Sequence, residues 1–358
     1  MNASDDAVLL TEVATDLFGD HCPPEAVRAA EETGWAGELW NALAAAGFPL
    51  VSVPEEAGGS GGSVADACAM LQVAGRYAAP VPLAETGLLA GWALAAAGLP
   101  LPAGPATVAV GRPEDTVTVT GGPGGWRVAG RVHRVPWAGE AERVVVLARR
   151  GSERFVLSVP AATVTPGHNL AGEPRGTVTL DDLALDDDAV APAPEHVTGD
   201  ALALRGALAR AALIAGALAR VSELTVRYTH EREQFGRPVA RFQAVQHHLV
   251  RIAEEAQAAR MAATVAARNA DPDPAFFDVA AAKVVAGEAA GAAAKAAHQA
   301  HGAIGMTKEY ELGQLTRRLW AWRDEFGGER YWSARLGRHV AGLGADGLWP
   351  RLATGLVT

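Results

Sequence analysis

The hydrophobic pattern changes period along the chain. Up to about residue 102, apolar positions recur at helical spacing. Ser63 can cap the run VADACAMLQVAGRY, and after Pro80 and Pro82 the segment from Leu83 to Gly98 reads as another apolar helix. From about 103 to 190 the period falls to two. The runs TVAVG, TVTVTG, WRVAG, ERVVVLAR, ERFVLSV and GTVTLDD are short, rich in Val and Thr, and separated by Gly, Pro and Asp. They predict an antiparallel β domain of roughly six to eight strands. The acidic, Pro-containing stretch from Asp181 to Glu195 reads as a linker out of the sheet.

Helical spacing returns at Asp200. One long helix is expected from Asp200 to Phe235, ended by Gly236 and Pro238. A second runs from Arg241 to Asn269, and DPDP at 271–274 breaks the chain before a third from Phe276 to Ala300. The last, from Glu309 to Val340, is interrupted at Gly327-Gly328. Long helices with short connections predict an antiparallel four-helix bundle, Ala-rich enough for close approach. The expected fold is α+β: an N-terminal helical domain over 1–102, a β domain over 103–195 and a C-terminal bundle over 196–358.

Composition narrows the function classes. Hydrophobic residues make up 49% and charged residues 20%, as in an ordinary globular chain. A net charge of −10 with no basic face argues against nucleic acid as a partner. Cys22 and Cys68 are the only cysteines and form no CxxC, so neither a disulfide framework nor a metal site is expected. MNASDDAVLL has no basic n-region. The apolar stretch from Gly87 to Leu101 falls short of the ~20 residues that span a bilayer. A reduced cytoplasmic location without a membrane partner is the expectation.

Three segments carry candidate chemistry. Tyr228-Thr-His-Glu-Arg-Glu-Gln-Phe-Gly236 is followed by Arg237-Pro238 and Phe242-Gln243. At i, i+3 spacing Arg232 and Phe235 share a helix face, offering a guanidinium for phosphate and an aromatic wall. Gln299-Ala-His-Gly-Ala-Ile-Gly305 ends a helix, and Gly302 and Gly305 allow a tight turn close to a ligand. Pro54-Glu-Glu-Ala-Gly-Gly-Ser-Gly-Gly62 precedes the helix that starts near Ser63. It lacks the Lys and preceding strand of a phosphate-binding P-loop, so it reads as a turn. Taken singly, the other two also have plain readings: a solvated helix end and a glycine C-cap.

In this order and spacing the three segments resemble the acyl-CoA dehydrogenase family. Its PEE-x-GG-x-G pattern is matched from Pro54 to Gly61, and its Y-x3-R-x-x-FG-x-P pattern at Tyr228, Arg232, Phe235, Gly236 and Pro238, with Gln243 following. Q-x-x-G-x-x-G is matched at Gln299, Gly302 and Gly305, then Glu309-Tyr310 and Arg317. The resemblance implies FAD, contacted by Arg232, Phe235, Gln243, Gln299 and Gly302 while bound mainly by a neighbouring subunit. It implies removal of an α-proton from an acyl thioester, on CoA or on an acyl carrier protein, while hydride leaves the β-carbon for the flavin. It further implies a tetramer, either α2β2 with a homologous dehydrogenase subunit or a homotetramer, with electron-transfer flavoprotein as a candidate electron acceptor.

The chain departs from that pattern where it matters most. Alignment without gaps from Glu309-Tyr310 puts Phe326 where the family keeps its catalytic Glu, followed by Gly327 and Gly328 in place of Gly-Thr. A phenyl ring cannot accept a proton. Glu325 is adjacent, but a neighbouring helical residue points about 100° away. Some members carry the base near the start of the long bundle helix; here ALALRGALARAAL has no carboxylate between Asp200 and Glu223. The family's TEP-x-AGSD segment has no counterpart, its nearest stretch being TVAVGRPEDT, and the flavin-side W-I-T strand is replaced by Arg134-Val135-Pro136-Trp137-Ala138. Trp137 is either a flavin-packing ring or an ordinary sheet aromatic.

Two readings follow. Either the chain is a self-sufficient dehydrogenase with Glu325 as base, or it is the base-lacking subunit of a heteromeric enzyme, as found in actinobacterial sterol degradation. HGAIG-x-T-x-E followed by W-x-x-x-FG resembles the second, and the Ala- and Arg-rich composition suits such a source. A third class, flavin-dependent oxygenation in natural-product assembly, needs no α-proton base and tolerates Phe326.

Overall fold

The computed structural model describes residues 3–110, 115–160, 163–271 and 273–354. They form two compact units, one comprising 1–71 and 79–206, the other 72–78 and 207–358.

The first unit opens with helices α1 (Ala3–His21), α2 (Pro24–Thr33) and α3 (Gly37–Ala45) and the start of α4 (Val64–Arg76). Ser63 caps α4 as its position predicts. Its Oγ accepts from the amide of Asp66 at 3.0 Å, and Asp66 Oδ2 accepts from the amide of Ser63 at 2.9 Å, a reciprocal box. The Leu83–Gly98 segment is helical, with a π-helical stretch over Glu85–Gly91 leading into α5 (Trp92–Ala97). Thr86 Oγ1 ties that stretch to the sheet through the carbonyl and amide of Ala106.

The sheet has eight strands: β1 (Ala106–Ala109), β2 (Thr116–Thr120), β3 (Trp126–Pro136), β4 (Arg143–Arg150), β5 (Glu153–Pro160), β6 (Thr163–Thr165), β7 (Arg175–Leu185) and β8 (Val190–Pro192). The order is β6-β7-β3-β2-β4-β5-β8, with β1 on β4. It is not wholly antiparallel: β1 and β2 both pair β4 in parallel. The expected linker from Asp181 is instead the end of β7, followed by β8. Both Pro192 and the short β8 sit at a sheet edge, where a missing donor is tolerated. Inward residues such as Val128, Val144, Val146, Leu157 and Val178 form the core of this sheet.

The second unit is helical. It contains the last turn of α4, most of α6 (Gly199–Glu231), α7 (Gln243–Arg268), α8 (Phe276–His301), α9 (Leu312–Asp324), α10 (Glu329–Leu343) and α11 (Ala345–Thr354). α6 is long and apolar enough to cross a membrane, yet 83% of its most apolar window is buried inside the protein. Small residues set the packing. A Cβ on Gly75 would lie 2.0 Å from the Leu213 carbonyl oxygen, and one on Gly216 would lie 1.8 Å from that of Gln72. The two glycines let α4 and α6 cross backbone to backbone.

One helix ends earlier than its pattern predicts. α6 stops at Glu231, and Glu233-Gln234 pairs with Arg237-Pro238 as a small hairpin, β9 and β10. Phe235 and Gly236 both take positive φ, 53° and 75°, the geometry of a type I′ turn. Arg232 and Phe235 therefore do not share a helix face. Gly236 makes the turn accessible, and Pro238 cannot continue the helix.

Candidate active site

The hairpin end of the second unit gathers most of the expected site residues. Arg232 lies just past α6, Phe235 at the hairpin tip and Gln243 at the first position of α7. Gln299 and Gly302 close α8. α7 and α8 are joined by a short loop and pack along their lengths, so the start of one lies beside the end of the other. Phe235 is 92% exposed, and its ring meets Phe242 edge-on at 6.1 Å. The Arg232 guanidinium makes no hydrogen bond or ion pair among the described residues, and it is exposed.

Beneath Gly302 lies an aromatic cluster that the motifs did not predict. His301 is buried and stacks on Tyr228 with centroids 4.6 Å apart. Its Nδ1–H donates to the Ala297 carbonyl at 2.9 Å, which leaves Nε2 to accept from the Tyr310 hydroxyl at 3.3 Å. Burial pushes the imidazole below its ordinary range, only partly opposed by the Ala297 bond. Burial also raises Tyr310, with Glu311 adding to it. Glu311 in turn pairs with Arg220 at 2.9 Å and Arg227 at 3.4 Å, both on α6.

The loop between α9 and α10 lies elsewhere in this unit. Arg210, 22 residues before Arg232 by their numbers, places it about 33 Å away along α6. Arg210 Nε donates to Glu325 Oε2 at 2.7 Å, with side-chain exposures of 2% and 12%. The Arg210 guanidinium also lies 5.2 Å from the centre of the Phe326 ring. Phe326 and Gly327 take positive φ, 54° and 95°. A bulky residue in that region needs support, and Trp332 Nε1 supplies it by donating to the Phe326 carbonyl at 2.9 Å.

In the first unit Pro136 ends β3 and Trp137 opens the turn that follows. A register shift between Val132 and Val135, with Arg134 at φ 56°, marks a bulge there. Trp137 is 3% exposed at φ 55°, and its amide donates to the Pro174 carbonyl at 3.1 Å. Arg175, buried and paired with Glu173 at 3.0 Å, lies 5.8 Å from the indole centre. Glu140 follows in the same turn, and burial raises its carboxyl. Of the stretch TVAVGRPEDT, residues 111–114 lie outside the described residues.

The acyl-CoA dehydrogenase N-terminal domain matches residues 4–100, and the acyl-CoA dehydrogenase C-terminal domain matches residues 201–324. The acyl-CoA dehydrogenase IpdE2 of Mycolicibacterium smegmatis is 30% identical over 314 residues, covering 86% of this chain and 90% of its own. The chain belongs to the acyl-CoA dehydrogenase family. Among solved structures, a chain of the ChsE4–ChsE5 complex from Mycobacterium tuberculosis superposes with a TM-score of 0.86 at 28% identity, covering 94% of this chain and 97% of that one. A chain of Tcur3481–Tcur3483, described as a steroid ACAD (G363A variant), gives 0.86 at 27% identity and covers 95% and 99%.

This acyl-CoA dehydrogenase is thus an FAD-dependent oxidoreductase by family. The hairpin end fits such a group. It offers an exposed guanidinium without an ion pair among the described residues, an exposed ring and two exposed glutamines. A Cβ on Gly302 would meet nothing within 4 Å, so its backbone is open to a ligand. Motif reasoning found these residues but missed Arg210, Lys283 and Trp332 around the Phe326 loop. The one local signal was Lys283 itself, a lysine inside the apolar run VAAAKVVAG.

Proposed function

We propose that this chain is the base-lacking subunit of a heteromeric acyl-CoA dehydrogenase, assembled with a homologous subunit that provides the α-proton acceptor. The observation that carries this reading is the Phe326 loop. Phe326 aligns with the position of the family's base, and the neighbouring carboxylate, Glu325, is turned onto the buried Arg210 guanidinium. A general base must reach the proton it takes, and Glu325 is held on a cation instead.

The chain's own contribution to the α,β-dehydrogenation lies at the hairpin end. Bound FAD supplies the hydride acceptor. Arg232 neutralises a pyrophosphate charge, Phe235 covers an aromatic face, and Gln243, Gln299 and the Gly302 backbone orient the group by hydrogen bonding. Pro136 and Trp137 shape the β-domain side. With about 33 Å along α6 between the hairpin and the Phe326 loop, the hairpin serves a flavin shared with a neighbouring subunit, in an α2β2 tetramer. The likeness to the ChsE4–ChsE5 complex and to a steroid ACAD supports a partner subunit and a steroid-derived acyl-CoA. A cytoplasmic location and electron-transfer flavoprotein as acceptor complete the proposal.

The test is purification of the chain alone and co-expressed with its genomic neighbours. The expected result is little flavin and no turnover alone, with both appearing in a complex. Stoichiometric flavin and turnover in the lone chain would overturn the reading and return Glu325 to the base role.

A further inference from the structure

Lys283 is fully buried in α8, and nothing in the proposed reaction uses it. Its Nζ donates to the carbonyls of Trp322 and Arg323 at 3.3 and 2.5 Å. These belong to the last turn of α9, whose final carbonyls have no partner within the helix. The chain beyond them is the loop that carries Glu325 and Phe326. Three donors from three helices therefore fix this loop: Arg210 of α6 on Glu325, Lys283 of α8 on the end of α9, and Trp332 of α10 on the Phe326 carbonyl. The charged groups facing Lys283 are Glu329 of α10, Asp324 at the end of α9, Glu325 of the loop, and Arg210 of α6, while Arg323 pairs with Glu329. A Cβ on Gly287 would lie 2.2 Å from Glu329 Oε1, so α8 keeps a glycine one turn from Lys283 to admit that carboxylate.

We propose that Lys283 is a positioning residue whose charge clamps the end of α9, and with it the Glu325–Gly327 loop, and that the clamp loosens when the amine loses its proton. This rests on reading the loop as the family's base loop, but the contacts themselves do not depend on catalysis. A charged donor holds a carbonyl roughly twice as strongly as a neutral one. Burial brings the ammonium down to about 8, against the pull of Glu329, Glu325 and Asp324. The change therefore falls where the folded protein can be observed.

The Trp332 indole reports on the loop directly. The full chain, labelled with 5-fluorotryptophan, is followed by ¹⁹F NMR from about pH 6.5 to about pH 9.5, below the ordinary tyrosine range. Substitution Trp332→Phe identifies the resonance. In the unsubstituted protein it is expected to move with a midpoint near 8. In Lys283→Met it is expected to stay near its alkaline position without titrating. A wild-type resonance that does not move overturns the proposal, with no variant needed, and so does a midpoint that survives in Lys283→Met. Failure of the base-lacking reading is seen separately, as turnover by the lone chain.

Discussion

The pairing of Arg210 with Glu325 can be tested as a double-mutant cycle. Arg210→Met removes the guanidinium from a carboxylate whose side chain is 12% exposed. Breaking one side of a buried pair costs about 3–5 kcal/mol, because a charge is left in a low-dielectric site. Glu325→Gln keeps the shape but leaves the 2%-exposed guanidinium facing a neutral amide, with a cost of the same order. The double variant removes both charges, and such replacements are often close to neutral. Because the two single costs sum to well above the cost of the double variant, the cycle should return a coupling energy of at least about 3 kcal/mol, the upper end of couplings between contacting residues. At about 2–4 °C per kcal/mol for a unit of this size, Arg210→Met alone should lower the melting point by about 6–20 °C. The assay is thermal and urea unfolding of the full chain, with two probes to separate the transitions of the two units. Additivity within about 0.5 kcal/mol would refute the pairing and leave Glu325 available as a base.

Five further outcomes are expected. In the active complex, Glu325→Gln should leave kcat within about twofold, whereas loss of a true general base costs about 10²–10⁴-fold. Arg232→Ala should weaken flavin retention measured by absorbance after gel filtration, since it removes the cation assigned to the pyrophosphate; unchanged flavin content counts against that assignment. Gly216→Ala should destabilise by about 1–3 kcal/mol or more through its clash with the Gln72 carbonyl, although alanine is the better helix former. Gly337→Ala, on α10 with nothing within 4 Å of the added carbon, should stabilise by about 0.5–1 kcal/mol. Lys283 also sets a pH dependence. Its folded value of about 8 lies below the ordinary 10.5, so between these two the unfolded chain holds a proton that the folded chain has lost. Stability from this group rises with pH across that window, by up to about 3 kcal/mol, and the rise should be absent from Lys283→Met.

Local signals in the sequence were enough for the three-part layout, because Ser63 before an apolar run, Val/Thr alternation and Ala-rich helical spacing act within a few residues of themselves. They fell short where tertiary partners decide. The hairpin at Glu233–Pro238 turns on two consecutive positive φ values, one of them at Phe235, which spacing along a helix cannot express. β8 was hidden because an acidic stretch with prolines looks like a linker unless a sheet edge is there to accept it. The identity of Phe326 was legible, but the direction of Glu325 was not. That direction is set by Arg210, 115 positions away in the chain, and the loop's support comes from Lys283 and Trp332 on two other helices.

The apolar character of α6 has a consequence for the making of the protein. This helix of 33 residues passes the composition test for a membrane segment, and only burial inside the finished fold conceals it. On the ribosome it emerges before α7, α8 and α9. The roughly 90 residues from the hairpin to the end of α9 take about 5–20 s to synthesise at ordinary elongation rates. During that interval the nascent chain displays a long apolar helix that has α4 to pack on but lacks the partners on α8 and in the segment from Glu311 to Glu325. Its yield in cells should depend on holding chaperones, and fragments that stop within α7 should aggregate or strand on membranes where the whole chain does not.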